Sequence, residues 1–397
     1  MIYDFDRVID RRNTASLKWD QLKEFFGSED VLPLWVADMD FPCPEPVKEA
    51  LVRRAESGLY GYTIRTGEWF EAIQGWYRRR HGWDIAKEAI LSSPGVVTSL
   101  SLAVELFSEP GAGVILQPPV YHPFYDVIRL NGRQVLRNPL RIGENGLYEM
   151  DFDGLERLMR DGAKLMLLCN PHNPGGRVWT RDELARVAEL AAHYGVTVVS
   201  DEIHCDLVLP PRRHVPFAVA AADSGAPHVS LHAPTKTFNL PGVQSSFIAA
   251  GDPAIRRRLN ERIRALSLQM QNYFALYATI AAFNEGDEWL DQLLAYVKAH
   301  IDFAIRYLSE NAPFLRPMPP EGTYLLWVDC RALGLDPQGM KRLMFEEAKV
   351  AFNEGSMFGE EGAGFVRINC ACPRSILEEA LRRFAGAAAR AAQPNMR

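Results

Sequence analysis

The sequence predicts an α/β fold, with one large unit built on a mostly parallel sheet and a smaller α+β unit beside it. Three features carry that expectation. Short β-rich runs alternate with helical patterns through the middle of the chain, the order that strand-helix-strand units leave in a sequence. After about residue 285 the pattern changes, and one long helix leads into a few strands and further helices. At 397 residues the chain is also too long for one ordinary core, so two units with a cleft between them suit it.

The elements follow in order. Residues 99–107 read as a helix after a Pro-Gly turn, and 114–117 as a strand. Residues 164–169 form an apolar run of the buried-strand kind. Thr180 with Glu183 makes a capping box that opens a helix carrying Leu184, Val187, Ala188 and Ala191 on one face. Gly195 stands where helices favour a left-handed final residue. The strand 196–200 then delivers Asp201 to its carboxyl end, the edge at which open α/β sheets place their ligands. Further strands are expected at 229–232 and 247–250. A helix over 288–309, strands at 324–328 and 365–368, and a terminal helix from about Ser375 complete the chain. The expected division is a large domain over 48–285, with 1–47 and 286–397 forming the small domain and an N-terminal arm. No internal repeat or low-complexity segment is visible.

Composition narrows the function. A chain with 47% hydrophobic and 24% charged residues reads as a soluble globular protein, and a net charge of −6 argues against one built to neutralise nucleic-acid phosphates. Two basic clusters, Arg78 to Arg80 and Arg256 to Arg264, read as solvated helix faces. The longest apolar stretch, 274–283, is about half of what a membrane span needs, so no membrane partner is expected. The N-terminus carries no visible signal or lipidation motif. The six cysteines lack paired spacing, which suits a reducing, cytoplasmic setting; Cys370 and Cys372 have no second pair to complete a metal site.

Several motifs can be set aside. Gly111-Ala112-Gly113 precedes a strand instead of opening a helix, so it is no dinucleotide fingerprint. No phosphate-binding P-loop, nucleophile elbow or zinc-protease helix is present, and no metal is expected. His204 and His232 read as cofactor neighbours or satisfied core groups.

What remains is a distributed set whose members make chemical sense together. Asn170-Pro171-His172-Asn173-Pro174-Gly175-Gly176 follows a strand, where proline fixes a turn and Asn173 can aim its amide at the sheet edge. Alone it is equally a structural turn. Asp201 can cap a helix, or face a protonated pyridine nitrogen and hold it cationic. Lys236 lies in His232-Ala233-Pro234-Thr235-Lys236-Thr237-Phe238-Asn239, just past another strand; among small and aromatic residues it is a candidate amine nucleophile.

These segments resemble the fold-type I pyridoxal-phosphate enzymes of the class I and II aminotransferase superfamily. The whole chain is similar to the cystathionine β-lyase branch, the MalY and PatB group. The likeness runs through Tyr3-Asp4-Phe5-Asp6, Leu32-Pro33-Leu34-Trp35-Val36-Ala37-Asp38-Met39-Asp40-Phe41, Gln117-Pro118-Pro119-Val120-Tyr121-His122-Pro123-Phe124 and Val366-Arg367-Ile368-Asn369. It implies a pyridoxal-phosphate-dependent transferase fold, with the cofactor held as a Schiff base on Lys236. It further implies that Asp201 pairs with the ring nitrogen, that Asn173, helped by His204, bonds the phenolic oxygen, and that Tyr121 stacks on the ring. Arg367 matches the residue that clamps the substrate carboxylate, a task suited to a planar guanidinium.

Gly95, Val96, Val97 and Thr98 precede or open a helix, where free N–H groups can receive the cofactor phosphate. Tyr62 resembles the tyrosine that reaches this phosphate from a neighbouring subunit, which implies a homodimer. The chain departs from the general aminotransferase pattern around the lysine, with Ala233, Thr235 and Gln244 where two serines and an arginine are usual. Thr235 keeps a hydroxyl, whereas Gln244 removes a charge from the phosphate site and shifts reliance to the helix end and Tyr62.

The activity that the resemblance implies is β-elimination from cystathionine or another S-substituted cysteine, giving a thiol, pyruvate and ammonia. The core residues serve an aminotransferase on a small amino acid equally well. A third reading is a regulatory binding protein on the same fold.

Overall fold

The computed structural model describes residues 1–270 and 272–392. A seven-stranded sheet stands at its centre, in the spatial order Ile90–Ser93, Ser246–Ala249, His228–His232, Thr197–Asp201, Leu165–Cys169, Gly113–Leu116, Gln134–Arg137. Ser246–Ala249 runs against both neighbours, and the other six strands are parallel to one another. In the inner strand Leu165–Cys169 all five residues are buried, because helices cover both faces. Leu165 and Leu167 pack on one face with Leu100 and Leu259; Met166 and Leu168 pack on the other with Leu184 and Val187.

The capping box at Arg181–Tyr194 is complete, with Glu183 N donating to Thr180 Oγ1 at 3.2 Å and Thr180 N to Glu183 Oε2 at 2.7 Å. Gly195 follows at φ +66°. The helix expected from residue 99 starts three residues earlier, at Val96. Its first turn, Val96, Val97 and Thr98, is β-branched and of low helix propensity, but Val96 is buried against the sheet, and packing outweighs propensity there.

The long helix Asp287–Asn311 leads to a four-stranded antiparallel sheet ordered Arg316–Met318, Leu325–Asp329, Phe365–Asn369, Asn353–Glu354. The N-terminal arm joins this half of the chain, since Leu32–Pro33 pairs in parallel with Val350–Ala351. The last helix, Arg374–Ala392, packs on Asp287–Asn311.

The basic clusters meet acids on the molecule itself: Arg78 pairs with Asp84 at 2.5 Å, Arg80 with Asp287 and Asp291 at 2.7 Å each, and Arg262 with Glu105 at 2.8 Å. Among the described residues no helix is long and apolar enough to cross a membrane. All six cysteines are free thiols.

Candidate active site

Parallel strands end on the same edge, and five of them release their following segments there. Past Ile90–Ser93 comes Pro94 to Thr98, past Gly113–Leu116 comes Tyr121, and past Leu165–Cys169 comes Asn173. Thr197–Asp201 ends on Asp201 with His204 beyond it, and His228–His232 leads to the single helical turn Pro234–Thr237 that carries Lys236. Together they line a cavity of about 330 Å³ with Ala37, Cys169, Ile203, Pro241, Gln244 and Ser245. Gly95, Val96, Val97, Thr98, Tyr121, Asn173, Asp201, His204, Thr235 and Lys236 thus share one site.

Burial sets the charge states. The Lys236 amine is pushed down to about 8, chiefly by loss of water and further by Arg367, while Asp38 and Asp201 oppose the shift. Its Nζ donates to the carbonyl of Ala37 at 2.5 Å, and that carbonyl also accepts from Tyr324 Oη at 2.8 Å. The Asp201 carboxyl is raised to about 7 by burial, with Glu202 adding to the rise and the Ile203 N–H and Lys236 opposing it. Ile203 N donates to its Oδ1 at 3.1 Å. His204 is lowered to about 3 by burial and by the Lys236 and Arg367 charges, so it is neutral, and its Nδ1 is buried with no partner among the described residues.

Three of these features fit pyridoxal phosphate. A buried carboxyl held near 7 is one that lacks a cation, and a protonated pyridine nitrogen supplies it. The helix Val96–Phe107 opens on the cavity with no side-chain cap, leaving first-turn N–H groups for an anion. The partnerless His204 Nδ1 and the Asn173 amide stand on the wall between them. Asn173 Oδ1 already accepts from Arg367 Nη1 at 2.9 Å, so its Nδ2 is the donor left for an oxygen.

A partly neutral amine is a poised nucleophile. With a pKa of about 8, roughly one Lys236 in ten is unprotonated at pH 7, against about one in 3,000 for an ordinary lysine. Capture of pyridoxal phosphate by the cofactor-free protein is expected to speed up with rising pH and level off above a midpoint near 8, followed by absorbance in stopped flow. A midpoint near 10 would place the attachment on an exposed lysine.

Two residues singled out by the resemblance lie outside the cavity lining. Arg367, in the middle of Phe365–Asn369, is buried behind Asn173; besides that contact, its Nη2 donates to Trp35 O at 2.8 Å and Asn353 Oδ1 at 2.7 Å. Burial lowers it to about 10, still cationic at neutral pH, and its buried Nε has no partner among the described residues. Tyr62 is 96% exposed, in an apolar segment with Leu59 and Ile64, each 77% exposed. Of the two histidines left open, His204 faces the cavity, whereas His232 stacks on Phe247 with ring centres 5.1 Å apart, away from the lining.

Residue-by-residue reading misses the Ala37 carbonyl, Asn353 and Cys169. Backbone acceptors leave no chemical signature in a sequence; the only trace of Ala37 is the string from Leu32 to Phe41, which carries no chemistry of its own. Asn239 pins that string to the lysine turn, accepting from Met39 N at 2.9 Å and donating to Phe41 O at 2.8 Å.

A family model described as aminotransferase class I and II matches residues 29–384. Over 385 residues the chain is 43% identical to a protein of Bacillus subtilis called cystathionine beta-lyase PatB, covering 97% of this chain and 99% of that one. Cystalysin from Treponema denticola, whose crystal structure contains a pyridoxal 5′-phosphate cofactor, superposes with a TM-score of 0.93 at 35% identity over 100% of both chains. The PLP-bound C-S lyase of Staphylococcus hominis gives 0.91 at 30% identity, covering 98% of each chain.

Proposed function

The chain belongs to the class I and II aminotransferase family, and on that premise we propose that it is a pyridoxal-phosphate-dependent carbon-sulfur β-lyase acting on cystathionine or other S-substituted cysteines. One observation carries the cofactor assignment: a buried amine held near 8 and a buried carboxyl held near 7 line the same cavity as an uncapped helix N-terminus. The lyase reading rests on the relatives, because the core residues also serve transamination.

When bound, pyridoxal phosphate supplies an electrophilic carbon for amines and a cationic ring that withdraws electrons from the substrate α-carbon. Asp201 would hold the charge on the ring nitrogen by ion pairing. Asn173 Nδ2, left free by the Arg367 contact, would donate to the phenolic oxygen, and neutral His204 lines the same cavity. The N–H groups of Val96 and Val97 and the Thr98 hydroxyl would receive the phosphate, and Thr235 would add its hydroxyl. Tyr121, on the cavity lining, would offer its aromatic face to the ring. Lys236 would hold the cofactor through its amine, and that amine, of matched pKa, would take the substrate α-proton. The bond from Cβ to sulfur would break with its electron pair going to sulfur, the departing thiolate would take up the proton that Lys236 had removed from the α-carbon, and water would convert the remaining three-carbon fragment to pyruvate and ammonia.

Arg367 orients the substrate carboxylate. Because Asn173, Trp35 and Asn353 already hold its guanidinium, the site is organised before substrate arrives. Arg367→Lys keeps a charge but loses the planar fork, and is expected to raise KM for cystathionine about 10- to 100-fold with a smaller change in kcat, measured by steady-state kinetics.

We assign the exposed Leu59, Tyr62 and Ile64 to a homodimer interface in which Tyr62 reaches the partner's phosphate site, in a protein whose free cysteines suit a reducing cytoplasm.

The deciding assay follows thiol, pyruvate and the cofactor spectrum together, with cystathionine, S-methylcysteine and alanine. Steady pyruvate release without an added 2-oxo acid is the expected result. Loss of the aldehyde form of the cofactor with no pyruvate would instead make the protein an aminotransferase, and a Lys236→Ala protein that kept its biological effect would make it a binding protein.

A further inference from the structure

The segment that follows Thr197–Asp201 has two sides. Asp201 and His204 face the cavity, while Glu202 and Asp206 point away from it to two buried imidazoles. Glu202 Oε2 meets His214 Nε2 at 2.7 Å, and its Oε1 accepts from Phe217 N at 3.0 Å. Asp206 is held at three points: Oδ1 lies 2.7 Å from His81 Nε2 and accepts from Trp76 Nε1 at 2.9 Å, and Oδ2 accepts from Thr237 Oγ1 at 2.8 Å. Trp76 and His81 belong to the helix Gly67–His81; Thr237 is the chain neighbour of Lys236.

The donor atoms of His81, Cys205 and Asp206 lie within 4.8 Å of one another, which raises the question of a metal. The 2.7 Å contact between His81 and Asp206 answers it, since two ligands of a tetrahedral zinc stand about 3.3 Å apart or more. This is hydrogen-bond spacing. Both carboxylate oxygens are already engaged by protein donors.

We infer that Asp206 is a positioning residue, which joins the segment bearing Asp201 and His204 to the turn bearing Lys236. The inference rests on the cofactor assignment proposed above. One rigid carboxylate accepts from the lysine turn and from a helix that packs beneath it, so the amine keeps a fixed place relative to Asp201 across the cavity. The lysine turn is short, a single turn of four residues, and too short to hold its own orientation. The Thr237 hydroxyl is its side-chain link to the Asp201 segment, and it is fully buried, so water does not replace it when it is lost.

The test compares wild type, Thr237→Val, Thr237→Ala and Thr237→Ser. The first readout is the rate at which cofactor-free protein captures pyridoxal phosphate, with borohydride fixing the product on Lys236 for peptide mass analysis. The second is kcat and KM for cystathionine, and the third is the Tm of the cofactor-free protein. Thr237→Val is expected to slow capture and lower kcat by about fivefold or more each, with KM within about twofold, because Arg367 is untouched. Thr237→Ser is expected to restore both rates, and the Tm of all variants is expected to stay within about 5 °C of wild type.

Capture or kcat reduced less than fivefold, failure of serine to rescue, or loss of folding in both Val and Ala variants would each overturn the inference. A wild type that fails to bind the cofactor on Lys236 would overturn the proposed function itself, which is a separate outcome.

Discussion

Lys236→Ala is expected to lower turnover of cystathionine by about 10³-fold or more, with the fold intact by circular dichroism. On the proposed reading two tasks fall on this one amine, attachment of the cofactor and proton removal at the substrate α-carbon, and among the described residues no other lysine lines the cavity. Borohydride reduction followed by peptide mapping is expected to label Lys236 in wild type and no residue in the variant. A label on another lysine, or a variant that retains a tenth of wild-type activity, would sink the assignment. The cofactor-free variant is expected to be no less stable than wild type near pH 7. An amine lowered to about 8 resists charging inside the fold, so a cost to folding builds as pH falls from the ordinary lysine range to about 8 and is present in full at pH 7, and removing the amine relieves it.

Asp201→Asn is expected to cost about 10³-fold in kcat while leaving the cofactor attached to Lys236. The amide matches the carboxylate in shape but carries no charge, so on the proposed reading the ring nitrogen would lose the anion that keeps it protonated. Retained labelling with lost turnover separates this effect from failure to bind; wild-type kcat in the variant would remove Asp201 from the mechanism. Stability offers a second readout. The Asp201 carboxyl rises from its ordinary value to about 7 on burial, so in the cofactor-free protein its stabilising contribution is present at acid pH and is lost as pH climbs from about 4 through 7. Thermal scans across that window are expected to show the loss in wild type and a flatter profile in Asp201→Asn. Added pyridoxal phosphate is expected to raise Tm more at pH 8 than at pH 5, because a cationic partner removes the penalty of the ionised carboxyl.

Much of the site was legible one segment at a time. Asp201 could be placed at a ligand-bearing edge from the capping box, Gly195 and the following apolar run, since these features are local and set by backbone hydrogen bonding. Lys236 and Asn173 were visible as chemistry after strands. Their partners were not. The Ala37 carbonyl meets Lys236 across 199 positions of sequence, and Arg367 meets Asn173 across 194. No periodicity or propensity acts over such separations.

The sequence by itself determined which groups are present, which strands carry them and on which edge they emerge, because strand direction and helix caps follow from local pattern. Only the tertiary structure decided what those groups are. Burial lowers an ordinary lysine to about 8 and raises an ordinary aspartate to about 7, and it leaves Arg367 behind Asn173 and Tyr62 out in solvent. The physical reason is that desolvation and Coulomb fields sum over everything nearby in space, and neighbours in space are chosen by packing.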